Sequence, residues 1–318
     1  MKHVIALDVG GTNLKAALMG ADGALLFKAR RRTGREHGPD AVVRAVLDFA
    51  EELAVEGRRR FGEAPSAMGL AVPGTVDQAN GVAVYAVNIG WRDVPFRALL
   101  GERLGVGGRA DCPVALGHDL RTGGLAELRM GAARGIDRFL FVALGTGIAA
   151  AIGIEGRIEP GAGGSSGEIG HVIVRPGGIR CGCGQLGCLE RYSSASAVGL
   201  AWAVTAGQDR ATAADCARAV VAGDERACKV WQGAVDALAD GLLTGLTLLD
   251  PAAIVVGGGL AEAGDTLFVP LRKAVAQRIA LQNLPEIIPA ELGDSAGCLG
   301  AGLMAWDLIA ASRREVTA

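Results

Sequence analysis

A charge excess of either sign is missing from this chain: 32 Lys and Arg stand against 34 Asp and Glu, giving a formal net charge of −2 and a pI near 6.1. That balance offers no general attraction to nucleic acid or to an anionic membrane, and no dense basic path suited to a long polyanion. Arg30, Arg31 and Arg32 make one local basic run, which reads as a solvated edge or turn. No uncharged stretch is long enough to span a bilayer, and no signal sequence precedes the first apolar run, which Asp8 breaks. A reducing, cytoplasmic setting is therefore expected. No low-complexity linker divides the chain, and no helix-turn-helix precedes the first strand, which starts at His3 or Val4. What is plentiful is apolar: half of the 318 residues, enough core for one two-lobed unit or two domains.

Seven cysteines are an odd number, and they divide into two kinds by position. Cys112, Cys216, Cys228 and Cys298 are scattered and read as packed thiols. Cys181, Cys183 and Cys188 instead crowd together, with His171 ten residues upstream of the first, in the segment GEIGHVIVRPGGIRCGCGQLGCLE. One imidazole and three thiols at that spacing predict a closed structural zinc site, and the glycines at 177, 178, 182, 184 and 187 let a short backbone fold around the ion. Glu168 precedes His171 by three positions and Glu190 follows Cys188 by two, so the metal would brace two carboxylates.

Along the chain, residues 4–8, 14–19 and 24–30 read as three strands with glycine turns between them, followed by helical spacing over 41–61 that stops at Gly62. A buried strand over 67–72, closed by Pro73-Gly74, completes a β-β-β-α-β unit. The second half repeats the pattern. Residues 139–143 lead into Gly145-Thr146-Gly147, 148–152 follow, and helices over 194–206 and 234–249 precede a strand at 254–256. Two similar lobes with a cleft between them are expected, divided as 1–117 and 118–298, with a final amphipathic helix from 299 that packs back on the first lobe through 318.

Phosphate chemistry is suggested at strand ends. Asp8-Val9-Gly10-Gly11-Thr12-Asn13 pairs an acidic residue with backbone amides that glycine leaves open to an anion, and Thr12 and Asn13 add side-chain donors. An acid beside such a loop suggests hydrated Mg²⁺. Gly145, Thr146 and Gly147 offer the same construction from the second lobe, so that two loops could clamp one polyphosphate; each loop taken alone also fits an ordinary hairpin. A third glycine run, Gly257, Gly258 and Gly259 after a buried strand, would let backbone approach a flat ligand such as a purine, and equally fits a plain strand-turn-helix. Asp119 follows the strand end at His118 and precedes a helical run, where it could take a proton from a hydroxyl or simply cap the helix. Asn88, Trp91, Glu168 and Glu190 belong to segments with the polar groups that bind sugar hydroxyls in pairs.

Taken together, these segments resemble the ROK family of repressors, open reading frames and sugar kinases, especially its bacterial glucokinase-like members. Residues 8–13 look like the family's first phosphate motif, 144–147 its second, 167–171 its Glu-x-Gly-His sugar motif, 181–188 its zinc motif and 256–259 its adenosine motif. The resemblance implies an α/β protein with an actin-like ATPase (ribonuclease H-like) fold and ATP with Mg²⁺ as phosphoryl donor. It also implies Asp119 as base toward the 6-hydroxyl of a hexose, with Asn88, Glu168, His171 and Glu190 on other hydroxyls. His171 would serve both zinc and sugar, one ring nitrogen each. A homodimer or homotetramer is expected on the same ground alone. One position departs from the pattern: the family usually carries asparagine, a sugar ligand, where this chain has His118. Glucose is the default substrate, with N-acetylmannosamine, N-acetylglucosamine, mannose and fructose as alternatives. Polyphosphate is an alternative donor, and a silent sugar sensor or a DNA-binding repressor an alternative class.

Overall fold

The computed structural model describes residues 1–105 and 112–317. They form two compact units: Met1–Ala126 with Ala162–Gly164 and Asp294–Ala318, and Glu127–Gly161 with Ser165–Gly293.

In the first unit, β1 (His3–Val9), β2 (Asn13–Gly20) and β3 (Leu25–Arg32) form an antiparallel meander. Helix α1 (Pro39–Phe61) then returns the chain to β4 (Met68–Val72), which lies parallel to β1. α1 starts with proline in its first turn and stops at Gly62, whose left-handed backbone lets its N–H reach the Arg58 carbonyl. Its buried residues Val42, Val46, Phe49, Ala50 and Leu53 recur at the three- and four-residue spacing of one helix face. A small sheet of β5 (Thr75–Asp77), β6 (Val82–Tyr85) and β7 (Arg92–Val94) follows. The sequence gives no expectation of it. After α2 (Phe96–Gly105) come β8 (Val114–His118) and α3 (Asp119–Met130). The main sheet runs β3-β2-β1-β4-β8. Arg30, Arg31 and Arg32 therefore lie on an edge strand, with Arg31 stacked on Phe49 and paired with Glu52.

The second unit repeats this plan. β9 (Arg138–Leu144), β10 (Ile148–Ile154) and β11 (Arg157–Ile158) form the meander. The helices α4 (Glu190–Ser193), α5 (Ala195–Ala206), α6 (Ala213–Val221) and α7 (Glu225–Leu249) intervene before β12 (Ala253–Gly257), which is parallel to β9. Then α8 (Asp265–Arg278) leads to β13 (Glu286–Pro289), and the sheet order is β11-β10-β9-β12-β13. The β-β-β-α-β expectation holds in both units, each with one further parallel strand at the edge.

The last helix, α9 (Ala296–Thr317), belongs to the first unit and packs on its sheet; residue 318, to which the sequence reading carries it, lies outside the described residues. Strand alternation decides which face it covers. Ile5, Leu7 and Val9 point into the core with α1, whereas Ala6 shares the opposite face with Ala71 and Ala301 of α9. The approach there is backbone to backbone: a side chain at Gly69 would overlap the Ala301 carbonyl, and one at Gly300 the carbonyl of Thr122 in α3. That contact carries the early turns of α3 with the first unit, so the division falls after Ala126 rather than after residue 117. The segment Gly293–Arg314 is long and apolar enough by composition to cross a bilayer; in this structure it packs on the sheet of the first unit with Ala301 buried. Of the four scattered thiols, Cys216 and Cys298 are buried and Cys112 is partly so, but Cys228 is exposed near the start of α7.

Candidate functional site

Three groups of residues gather in the first unit. The β1–β2 loop closes with the Gly10 N–H on the Asn13 carbonyl at 2.9 Å, leaving Thr12 exposed. Thr33, which the sequence gives no cause to single out, braces this loop from the end of β3: its hydroxyl donates to the Gly10 carbonyl at 2.6 Å and its N–H to the Thr12 carbonyl at 2.9 Å. Gly11 faces the exposed Asn88, whose amide nitrogen would stand 3.6 Å from a side chain placed there. Trp91 is not a ligand candidate: it is buried and meets Phe96 edge to face at 5.3 Å, holding the Asn88 turn down.

Asp8 alternates onto the α9 face, where a side chain at Gly297 would overlap its carboxylate. Burial pushes that carboxyl up to about 6, against the pull of Lys15, which itself pairs with Asp294. Asp119 is the first residue of α3, and its Oδ1 accepts from the Leu120 N–H at 2.7 Å. His118 ends β8, with Nδ1 3.3 Å from that same oxygen. The spacing does not make an ion pair, because burial first and the Arg121 guanidinium second hold the imidazole down near pH 4, neutral under ordinary conditions. Arg121, another residue without a sequence signal, is buried and donates to the Gly164 carbonyl at 2.7 Å.

In the second unit the β9–β10 loop repeats the first construction, with the Gly145 N–H on the Gly147 carbonyl at 2.9 Å and Thr146 exposed. Glu190, at the start of α4, accepts the Ile148 N–H at 3.0 Å, and a side chain at Gly147 would overlap its carboxylate. One oxygen of an expected sugar ligand is thus already engaged at the start of β10.

The segment 168–171 lies flat on β10. A side chain at Gly167 would strike the Ala150 carbonyl, and one at Gly170 the Ile148 carbonyl, so these two glycines set how closely Glu168 and His171 approach the sheet. His171 turns Nδ1 toward Cys181 Sγ, 3.7 Å away, and Nε2 toward Glu168 Oε2 at 4.0 Å. Cys183 and Cys188 stand 3.6 Å apart, and all four ligand atoms lie within 4.8 Å of one another. A tetrahedral zinc with bonds of about 2.3 Å needs sulfurs roughly 3.8 Å apart, so the donor set and its spacing fit that ion. Burial and the neighbouring thiols push Cys188 up to about 12, a penalty on the thiolate that a divalent cation would offset.

The third glycine run divides by role. Gly258 takes a positive φ and passes directly over the backbone of Leu144, where the Leu260 N–H meets the Leu144 carbonyl at 3.0 Å. Gly257 packs on the Phe141 ring. These two serve the crossing of β12 over β9, and only Gly259 faces open space, at the edge of a cavity of about 590 Å³. Ala213, Ala217, Trp231, Leu260 and Thr266 give that cavity a largely apolar wall.

Two mixed sheets of like order, each with a glycine loop and an exposed threonine after its first strand, define an α/β protein of the actin-like ATPase kind. More particularly, the chain belongs to the ROK family, whose model matches residues 4–307. A glucokinase of Thermotoga maritima is 32% identical over 94% of this chain and 95% of its own length. A ROK hexokinase from Thermus thermophilus is 32% identical with a TM-score of 0.82, covering 96% of this chain and 99% of that one. A ROK glucokinase from Streptomyces griseus, solved with glucose and AMPPNP, is 27% identical with a TM-score of 0.79 and the same coverage.

Proposed function

We propose that the protein is an ATP-dependent hexose kinase that phosphorylates the 6-hydroxyl, with D-glucose as its first substrate. The observation that carries this reading is the match along nearly the whole chain to a glucokinase, in a chain with glycine loops after β1 and β9 and a carboxylate at the start of α3.

Asp119 accepts the proton of the sugar hydroxyl as that oxygen bonds to the γ-phosphorus; the bond from phosphorus to the bridging oxygen breaks, and ADP leaves. The anchored Oδ1 fixes the carboxylate's rotamer for this step. The loop amides at 10–13 and 145–147, with the Thr12 and Thr146 hydroxyls, hold phosphate oxygens. Gly259 and the apolar cavity beside it hold the adenosine. Mg²⁺, when bound at Asp8, supplies charge neutralisation for the phosphates. Asn88, His118, Glu168, His171 and Glu190 take the sugar hydroxyls.

A zinc ion held by His171, Cys181, Cys183 and Cys188 is structural in this reading. His171 would hold such an ion through Nδ1, the nitrogen that faces Cys181, and its Nε2 side, with Glu168, would be left to the sugar. The test is a panel of hexoses and N-acetylhexosamines with ATP and Mg²⁺, read by coupled ADP detection. Sugar-dependent ADP release with glucose among the best acceptors is expected, and ADP release that no sugar stimulates would rule the reading out.

A further inference from the structure

Glu190 occupies an uncommon position for a sugar-binding acid. Its Oε2 accepts the N–H of Ile148, the residue that closes the β9–β10 loop, at 3.0 Å. A β-carbon at residue 147 would displace this carboxylate oxygen, so glycine there leaves the side chain its place. Beyond α4, the N–H of Ala195, the first residue of α5, holds the Gly145 carbonyl at 2.8 Å, so the start of α4 and the start of α5 meet the two ends of the loop. On its N-terminal side, Glu190 is two residues from Cys188, whose neighbour Leu189 is buried and tied to Val172 through its N–H at 2.8 Å. The carboxylate is thus wedged between the segment that carries the cysteine and histidine cluster and the loop assigned to the nucleotide.

We propose that Glu190 is a positioning residue that couples the two substrates: sugar bound at its carboxylate orders the 145–147 loop and so raises affinity for nucleotide, and by linkage nucleotide raises affinity for sugar. The proposal rests on the hexose-kinase reading above. Its physical basis is that one carboxylate serves both partners. Without sugar, the Ile148 N–H is the hydrogen bond that holds the wedged carboxylate. A sugar hydroxyl donating to the same group adds a second restraint and leaves the loop less entropy to lose when phosphate arrives.

The experiment measures the dissociation constant of Mg-AMPPNP by calorimetry, without glucose and at saturating glucose, using the full chain in its metal-loaded form. In the wild type, glucose should tighten nucleotide binding by at least about fivefold, the low end of ordinary coupling. Glu190→Ala should bring that factor to about one. Glu190→Gln, whose amide oxygen can still accept from Ile148, should restore most of it, while Glu168→Gln should weaken glucose yet keep the wild-type factor. Should Glu190→Ala bind glucose too weakly to saturate, Gly147→Ala decides: it crowds the carboxylate without removing it, and the factor should fall while glucose still binds. A factor unchanged in Glu190→Ala or in Gly147→Ala, or a wild-type factor of one in a protein that phosphorylates glucose, overturns the proposal. A wild type that turns over no hexose refutes the kinase reading instead, and the coupling with it.

Discussion

Replacing His118 by asparagine should change how the protein responds to acid, by an amount that follows from the site. The imidazole is buried beside Arg121 and held down from its ordinary 6.5 to about 4. In the unfolded chain it regains the ordinary value, so as pH falls below 6.5 the unfolded state takes up the proton first. Stability is then lost progressively until the folded form also protonates near 4. A gap of about 2.5 pH units corresponds to about 3 kcal/mol. Asp8 acts in the opposite sense: burial raises its carboxyl from 3.8 to about 6, so its contribution is fully present below 3.8 and is lost as pH rises through 6. The two nearly cancel in the wild type between pH 4 and 6, and that cancellation conceals the effect until one partner is removed. Asparagine does not titrate. The stability difference between wild type and His118→Asn, from urea unfolding at half-unit steps between pH 7.5 and 4, should therefore move by about 3 kcal/mol in favour of the variant as pH falls. Asp8→Asn should move the other way over the lower part of that range, below about pH 6. Parallel stability curves for wild type and His118→Asn would mean that the imidazole is solvated enough to titrate normally, and the assignment of a neutral, buried histidine beside the base would fail.

Asp119→Asn should keep both substrates bound, since the amide has the shape of the acid, yet lose turnover by at least about a hundredfold; a variant with normal kcat would reduce Asp119 to an element of helix geometry. Metal analysis should find one zinc per chain, and Cys183→Ala should lose it together with sugar affinity, because the Nδ1 anchor of His171 goes with the ion; unchanged glucose binding in a metal-free variant would separate the two. His118→Asn should also shift relative turnover among glucose, mannose and the N-acetylated hexosamines without altering the ATP requirement, each mispaired hydroxyl costing about 1–3 kcal/mol; an identical sugar profile would show that the ring makes no contact with sugar. Gly259→Leu, filling the mouth of the apolar cavity, should raise the KM for ATP while leaving that for glucose within about twofold, and an unchanged KM for ATP would move the adenosine elsewhere.

Local pattern carried the architecture. Apolar runs broken by glycine placed β1 to β4, β9, β10 and β12 within a few residues, and Gly62 stops α1 in the left-handed conformation that the helix-stop reading requires. The chain from 75 to 94 was opaque because its strands are three or four residues long and mostly exposed or half-buried, too short for alternation to register. α6 is a different case: Thr212 and Asp215 form a reciprocal capping box that announces the helix in the sequence.

The site divides along the same line between what lies close in sequence and what folding brings together. His171, Cys181, Cys183 and Cys188 fall within eighteen positions, and their spacing alone foretells a cluster that the fold then draws within 4.8 Å. Glu190 meets Ile148 from 42 residues away, and Thr33 meets Gly10 from 23, so neither contact has a local signature to be read. The glycines show why motif and mechanism differ. Gly257, Gly258 and Gly259 are equivalent on paper, all three candidates for close approach to a purine, yet Gly258 is needed by the backbone of Leu144 and Gly257 by the ring of Phe141. Only Gly259 of the three faces open space. Two of the three residues that the motif singles out are therefore ones that protein packing already requires, so a glycine run by itself does not separate close packing from close approach to a ligand.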